Sequence, residues 1–267
     1  MISDVLDGEQ LIRQVSLVGN GAHVFVPKEW IGEDIILVRK PKKELNVRIL
    51  DVLEPYLDKI EGVFLYGSYA RGEERNDSDI DLLVITNEKI KIKTEGFEII
   101  CLKKNSIEKA LKIEPLIIHS AIDEGKAIVN SGLLNELREK YIPSLKEFEG
   151  FLEDTKRIIK INEDFMRDEK ENLYFEDNAI VYSIVLRLRG LFIIKCLLGK
   201  KKYDYSSLKK WVGNNVKDFD FVYDAYREEK KDKNTKIKIK TEDMINLIEF
   251  LKNEIVNLEN GKKKKEA

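Results

Sequence analysis

Apolar residues change their spacing near Pro143, and that change divides the chain. Before it, short β-prone runs alternate with polar connections, and 63–66, 80–85 and 97–102 read as strands. Leu82-Leu83-Val84-Ile85 is continuously apolar, as expected of a strand buried on both faces. Helices are predicted over 43–60, with Val47, Ile49, Leu50, Leu53 and Leu57 on one stripe, and over 107–113, 114–124 and 133–141, with a short strand at 127–129. After Pro143 the period becomes helical, giving helices at 145–168, 175–198, 205–212, 219–230 and 242–257. The Lys-rich stretch 228–240 reads as a mobile connection, and 261–267 as a solvated charged tail. Ahead of all this, 11–18, 22–26 and 35–39 read as three strands around the turn signal Gly19-Asn20-Gly21. The expected domain plan is a small β module at 1–41, an α+β domain at 42–142, a helical bundle at 143–260 and a tail at 261–267.

Composition narrows the class. A 267-residue chain with 43% hydrophobic residues can bury a sizeable core, and 36% charged residues at a net charge of −2 give a surface of mixed sign. That balance removes the simplest argument for nucleic-acid binding, a strong basic excess. In residues 1–40, Arg13, Lys28, Arg39 and Lys40 are outnumbered by Asp4, Asp7, Glu9, Glu29, Glu33 and Asp34. Dimerisation or partner binding by that module is therefore expected over DNA contact. The amino terminus is acidic and polar, and the longest apolar run, 180–198, is interrupted by Arg187, Arg189 and Lys195. A soluble cytoplasmic protein without a membrane span is expected, with Cys101 and Cys196 as free buried thiols.

The chemistry concentrates in VFLYGSYARGEERNDSDIDLLVI. Val63 to Tyr66 ends at Gly67-Ser68, a residue free to adopt unusual backbone angles followed by a good helix N-cap. Backbone N–H groups at such a turn attract phosphate oxygens, which makes Gly67 and Ser68 the phosphate-side candidates and places Arg71 close by. Asp79 and Asp81 lie two apart on the following strand and project to one face. Two adjacent carboxylates call for a positive charge between them, and a hard divalent ion such as Mg2+ supplies it.

This segment closely resembles the minimal nucleotidyltransferases of the DNA polymerase beta superfamily, whose hallmark is Gly-Ser, ten residues, then Asp-x-Asp. Gly67, Ser68, the residues from Tyr69 to Ser78, then Asp79-Ile80-Asp81 match it in full. The resemblance implies an α+β fold with a mixed sheet and flanking helices. It also implies Asp79 and Asp81 as ligands of Mg2+, two ions in all, and a third carboxylate on a later strand. Glu98 occupies that place, where the family usually has aspartate. The implied activity is transfer of a nucleoside monophosphate, AMP from ATP, to an acceptor hydroxyl, as in antitoxins that adenylylate a partner toxin. A small molecule or an RNA end are the alternative acceptors. A non-enzymatic antitoxin or DNA-binding regulator with a vestigial nucleotide site is the rival reading.

Two weaker resemblances flank this one. VGNGAHVFVPKEWIG resembles the swapped-hairpin modules of the AbrB class, which implies a homodimer through 11–40. The bundle after Pro143 resembles the helical partners of such domains, including relatives of HEPN toxins. Their ribonuclease motif needs a histidine, and His23 and His119 both precede Pro143. His119 reads as structural; Arg187 and Arg189, in an apolar helix, read as surface or ion-paired residues, or as lining the nucleotide cleft.

Overall fold

A computed structural model describes residues 11, 13, 15–37, 44–76, 78–167, 172–175, 177–230 and 238–266. It divides into two compact units, Met1–Ile49 and Leu50–Ala267.

In the first unit, strands β1 (Ser16–Val18) and β2 (Gly21–His23) form an antiparallel hairpin in which Leu17 faces Ala22. Gly19 makes the turn at a φ of 53°, a conformation open to glycine without strain. Pro27 then opens a 3-10 turn at Lys28–Trp30. The expected third strand is not found: residues 35–37 carry no ladder, and 38 and 39 lie outside the described residues. Leu17, Phe25, Ile31, Ile36 and Leu37 are all exposed. Helix α1 (Leu45–Leu53) crosses the boundary between the units and gives way to a 3-10 turn at Glu54–Lys59 because Pro55 cannot continue an α-helix. Of the stripe expected here, Ile49 and Leu53 are buried, while Val47, Leu50 and Leu57 are exposed.

The second unit starts with β3 (Ile60–Tyr66), α2 (Gly67–Arg71), β4 (Ile80–Thr86) and β5 (Phe97–Lys103). It continues with α3 (Ile107–Ile113), α4 (Pro115–Asp123), β6 (Lys126–Val129) and α5 (Ser131–Lys140). The sheet order is β5-β4-β3-β6; β3 runs antiparallel to both neighbours, and β4 and β5 run parallel. The sheet is therefore mixed and the class α+β. Its apolar run places Leu82 to Ile85 in the fully buried middle of the sheet. Phe64, Tyr66, Leu83 and Ile85 pack on Ile107, Leu111, Ile118, Ile122 and Leu137 from α3, α4 and α5. Glu114 and Pro115 separate α3 from α4, since proline fits the first turn of a helix but not its interior. Asn130 starts α5 at a φ of 64°, accepting from Leu133 N–H and donating to the Glu61 carbonyl.

The rest is helical: α6 (Glu149–Met166), α7 (Asn178–Leu198), α8 (Tyr205–Val212), α9 (Phe219–Glu229) and α10 (Thr241–Glu266). Asp177, Asp204 and Asp218 cap α7, α8 and α9 through their side chains. Helix α7 is buried nearly all round, so its sequence shows little amphipathic pattern. Two short strands, β7 (Tyr174–Phe175) and β8 (Ile239–Lys240), pair antiparallel where the sequence carried no strand signal. β8 takes up the end of the expected mobile connection, whose residues 231–237 lie outside the described residues. Helix α10 continues through Glu266, where a charged tail was expected, because the Lys and Glu of that stretch are good helix formers. Phe148, Ile194 and Leu197 join Leu116 of α4 to the bundle, so sheet and helices share a seam. His119 is buried there, 3.2 Å from Glu147 and beside Phe148, as a structural residue would be.

Gly190 is where α7 meets Phe151 most closely, since a Cβ added there would lie 2.3 Å from the ring. Alanine would gain about 1 kcal/mol in helix propensity, but overpacking costs about 1–3 kcal/mol. Gly190→Ala is therefore expected to lower the thermal midpoint, and adding Phe151→Ala to shrink that cost. A midpoint raised by Gly190→Ala in differential scanning calorimetry would show the ring moving aside freely.

Candidate active site

The site begins where β3 ends. Gly67 turns the chain at a φ of 72°, and α2 starts at Gly67 itself, with Ser68 inside the helix and not at its N-cap. The turn is complete one residue earlier than the sequence suggests. Gly72, at a φ of 73°, ends the helix after little more than one turn and donates its N–H to the Ser68 carbonyl. A short loop then leads to β4; within it Arg75 N–H donates to Ser78 Oγ, and Ser78 N–H to the Arg75 carbonyl, both at 3.0 Å. Ser78 therefore closes a turn, and the strand begins at Ile80.

Register brings the acidic residues together. Asp81 pairs with Tyr66 on β3 and with Glu98 on β5. Equivalent positions on adjacent strands send their side chains to the same face, so Asp81 and Glu98 share one side of the sheet. Asp79, just before β4, is exposed, as is Glu98, whereas Asp81 is part-buried. A glycine is obligatory opposite it: a Cβ on Gly67 would lie 1.9 Å from Asp81 Oδ2.

Burial pushes the Asp81 carboxyl up to about 7, helped first by Glu98 and weakly by Asp79, while Lys230 and Arg71 pull the other way. Burial likewise raises the Tyr66 phenol, with Asp81, Glu98 and Glu124 adding to it. Four carboxylates thus surround the end of β3. Among the described residues no three acidic, histidine or cysteine side chains stand at coordinating distance from one point. Asp79, Asp81 and Glu98 still fit a hard divalent cation in chemistry, being an all-oxygen set whose mutual repulsion a cation would relieve.

Arg71 is held on three sides. Its Nε donates to Glu73 Oε2 at 2.8 Å, its Nη1 to Glu124 Oε2 at 2.7 Å, and its guanidinium lies 4.9 Å from the centre of the Tyr203 ring. The other carboxylate oxygen of Glu124 accepts from Gly67 N–H at 3.0 Å. Glu73 Oε1 accepts from Tyr205 N–H at 2.7 Å, which ties the turn to the start of α8. Arg189 reaches the other end of this cluster, donating to the hydroxyls of Tyr203 and Tyr226 at 3.1 and 2.7 Å. Arg187 does not join it; it pairs with Asp154 at 2.6 Å. Glu124, Glu73, Tyr203 and Lys230 carried no signal in the sequence, because an acid at a helix end or a lysine in a charged run is ordinary surface. A groove of about 720 Å³ lies apart from the acidic cluster, lined by Lys209, Lys210, Lys217 and Phe219 among others.

Residues 48–132 match the family model described as polymerase beta, nucleotidyltransferase. A curated protein of Methanocaldococcus jannaschii, provisionally named a protein adenylyltransferase, is 29% identical over 90 residues, which span 34% of this chain and 84% of the relative. A crystal structure of a nucleotidyltransferase-like protein from Exiguobacterium sibiricum is 13% identical, covering 80% of this chain and 75% of its own at a TM-score of 0.34. The family match starts at residue 48 and lends no support to the AbrB-like reading of 11–40. The Gly67-Ser68 turn and the Asp79 to Asp81 strand both lie inside the domain that matches the polymerase beta nucleotidyltransferase family model.

Proposed function

We propose that this protein is a Mg2+-dependent nucleotidyltransferase that moves AMP from ATP to a hydroxyl on a partner protein. The observation that carries the reading is the register of Asp81 with Glu98, with Gly67 backed against Asp81, inside the family-matched segment. In this reading Gly67 N–H and Ser68 hold the phosphates that are displaced. Asp79, Asp81 and Glu98 would hold two Mg2+ ions, which when bound offset the charge developing on the transferred phosphoryl group. Glu98 lies open to the acceptor and takes the proton of its hydroxyl. The acceptor oxygen bonds to the α-phosphorus as the bond to the β-phosphate oxygen breaks, and pyrophosphate leaves.

The name of the M. jannaschii relative supports a protein acceptor. A toxin protein encoded alongside is the partner we infer, with catalysis in the cytoplasm. The helical bundle after Pro143 is proposed to select the acceptor. The apolar residues exposed between Leu17 and Leu37 support self-association of the first unit. No described helix is long and apolar enough to cross a membrane.

Incubation with α-labelled ATP, Mg2+ and a lysate of the source organism is expected to label a protein band. Label on RNA or on small molecules alone would replace the protein acceptor. Asp79→Ala and Asp81→Ala are each expected to reduce transfer by about a hundredfold or more, the size of loss associated with removing charge stabilisation at a transition state. Transfer undiminished in both variants would refute the enzymatic reading. Gly67→Ala is expected to be equally inactive, because its Cβ has no room beside Asp81.

Asp81 also predicts a pH effect on stability in EDTA. Its folded-state value of about 7 exceeds the ordinary 3.8, so the folded protein holds this proton longer than the unfolded chain. Stability is greatest below the unfolded value and falls as the pH rises towards 7. Asp81→Asn should therefore melt close to wild type at pH 4 and above it at pH 8, with about 2–4 °C for each kcal/mol in a chain of this size. Mg2+ should raise the midpoint of wild type more than that of the variant. An Asp81→Asn midpoint below wild type at pH 8 would contradict the assignment.

A further inference from the structure

Glu124 occupies the place that the proposed function gives to a phosphate. One carboxylate oxygen accepts from Gly67 N–H at 3.0 Å and the other from Arg71 Nη1 at 2.7 Å. A backbone N–H and a guanidinium are also the donors with which proteins grip phosphate oxygens. Both Arg71 and Glu124 are 15% exposed, so the pair is well removed from water and less screened than a surface pair.

The setting of Glu124 argues against a role in stabilising its own helix. It is the C-cap of α4, where the partial negative charge of the helix end disfavours an acid. Arg138 already satisfies the carbonyls there, donating to those of Ile122, Asp123 and Gly125 at 2.9, 2.9 and 2.7 Å. The backbone at Glu124 is thus fixed from the far side, while its side chain reaches across to the Gly67 turn. Arg71 also holds Glu73 and the Tyr203 ring, contacts that do not run through Glu124.

We propose that Glu124 is an internal stand-in for a nucleotide phosphate, which closes the Gly67 and Arg71 donors in the free protein and must be displaced for the triphosphate to bind. This rests on the nucleotide reading above and adds to it a residue that sets nucleotide affinity. A triphosphate entering with Glu124 in place would meet a fourth carboxylate beside Asp79, Asp81 and Glu98. Its departure removes that repulsion and frees one face of Arg71 for a phosphate oxygen. Glu124 consequently acts as a threshold, admitting ligands with enough negative charge to compete for both donors and rejecting weaker anions.

The test is calorimetric titration of the full chain with ATP and with inorganic tripolyphosphate, each with Mg2+, for wild type, Glu124→Gln and Glu124→Ala, with thermal unfolding as a check on folding. Both variants are expected to bind both probes roughly tenfold tighter, the ratio corresponding to about 1.4 kcal/mol. Should they fail to fold, Glu124→Asp, which keeps the charge but cannot reach both donors, is expected to bind tighter by a smaller factor. Binding unchanged in the variants while wild type binds ATP overturns the proposal and leaves the nucleotide reading intact. Weaker binding does the same and makes Glu124 a residue that holds the turn in shape. If wild type and variants bind neither probe, the nucleotide reading fails and this proposal with it.

Discussion

The repulsion among carboxylates at the end of β3 is the constraint from which the site follows. Asp81 is pressed between Tyr66 and Glu98 by strand register, with the bare backbone of Gly67 against its carboxylate. A fold that buries a charge this way forgoes stability unless something positive arrives, and cores rarely tolerate such an arrangement without a use for it. The nearest positive groups approach without neutralising the cluster. Arg71 is committed to Glu73 and Glu124, and Lys230 stands at the end of α9 and opposes only part of the charge.

The same cluster fastens the sheet to the helices. Tyr203 has Arg71 over its ring and its hydroxyl bonded to Arg189, while Glu73 accepts from the backbone at Tyr205. Arg189 is part-buried against Tyr203 and Tyr226, whose rings and hydroxyls replace part of the water its charge has lost. Through Tyr203 this aromatic cluster is pinned to Arg71 and so to the Gly67 turn. The resulting chain of contacts runs from Gly67, through Glu124, Arg71 and Tyr203, to Arg189 in the middle of α7.

The sheet and most helices were legible because their signals are local: continuous apolar residues in β4, aspartates one residue before α7, α8 and α9, and proline at the head of α4. The Gly-Ser and Asp-x-Asp spacing likewise located the turn and the acidic strand. Other features were invisible for physical reasons. Glu98 could be proposed as the third carboxylate, but only the parallel register of β4 and β5 sets it beside Asp81, and register is not written in either strand alone. Glu124 is 57 residues from Gly67 in sequence, and its role depends on where α4 happens to end. The two-residue strands β7 and β8, and residues 35–37 without a ladder where a strand over 35–39 was expected, mark the lower limit of pattern reading, where a few β-branched residues carry too little information. In the first unit alternation predicted three strands, and the described residues form a hairpin of two three-residue strands.

The brevity of α2 bears on how such proteins are assembled from parts. A five-residue helix has almost no stability of its own, because nucleation costs more than one turn returns. Its far end is held from outside, with Arg71 against the Tyr203 ring and Glu73 bonded to the backbone of Tyr205. The bundle is therefore not cargo appended to a self-sufficient catalytic module. It is part of the mould in which the Gly67 turn is cast, so exchanging it for another helical domain would alter the backbone that lies against Asp81.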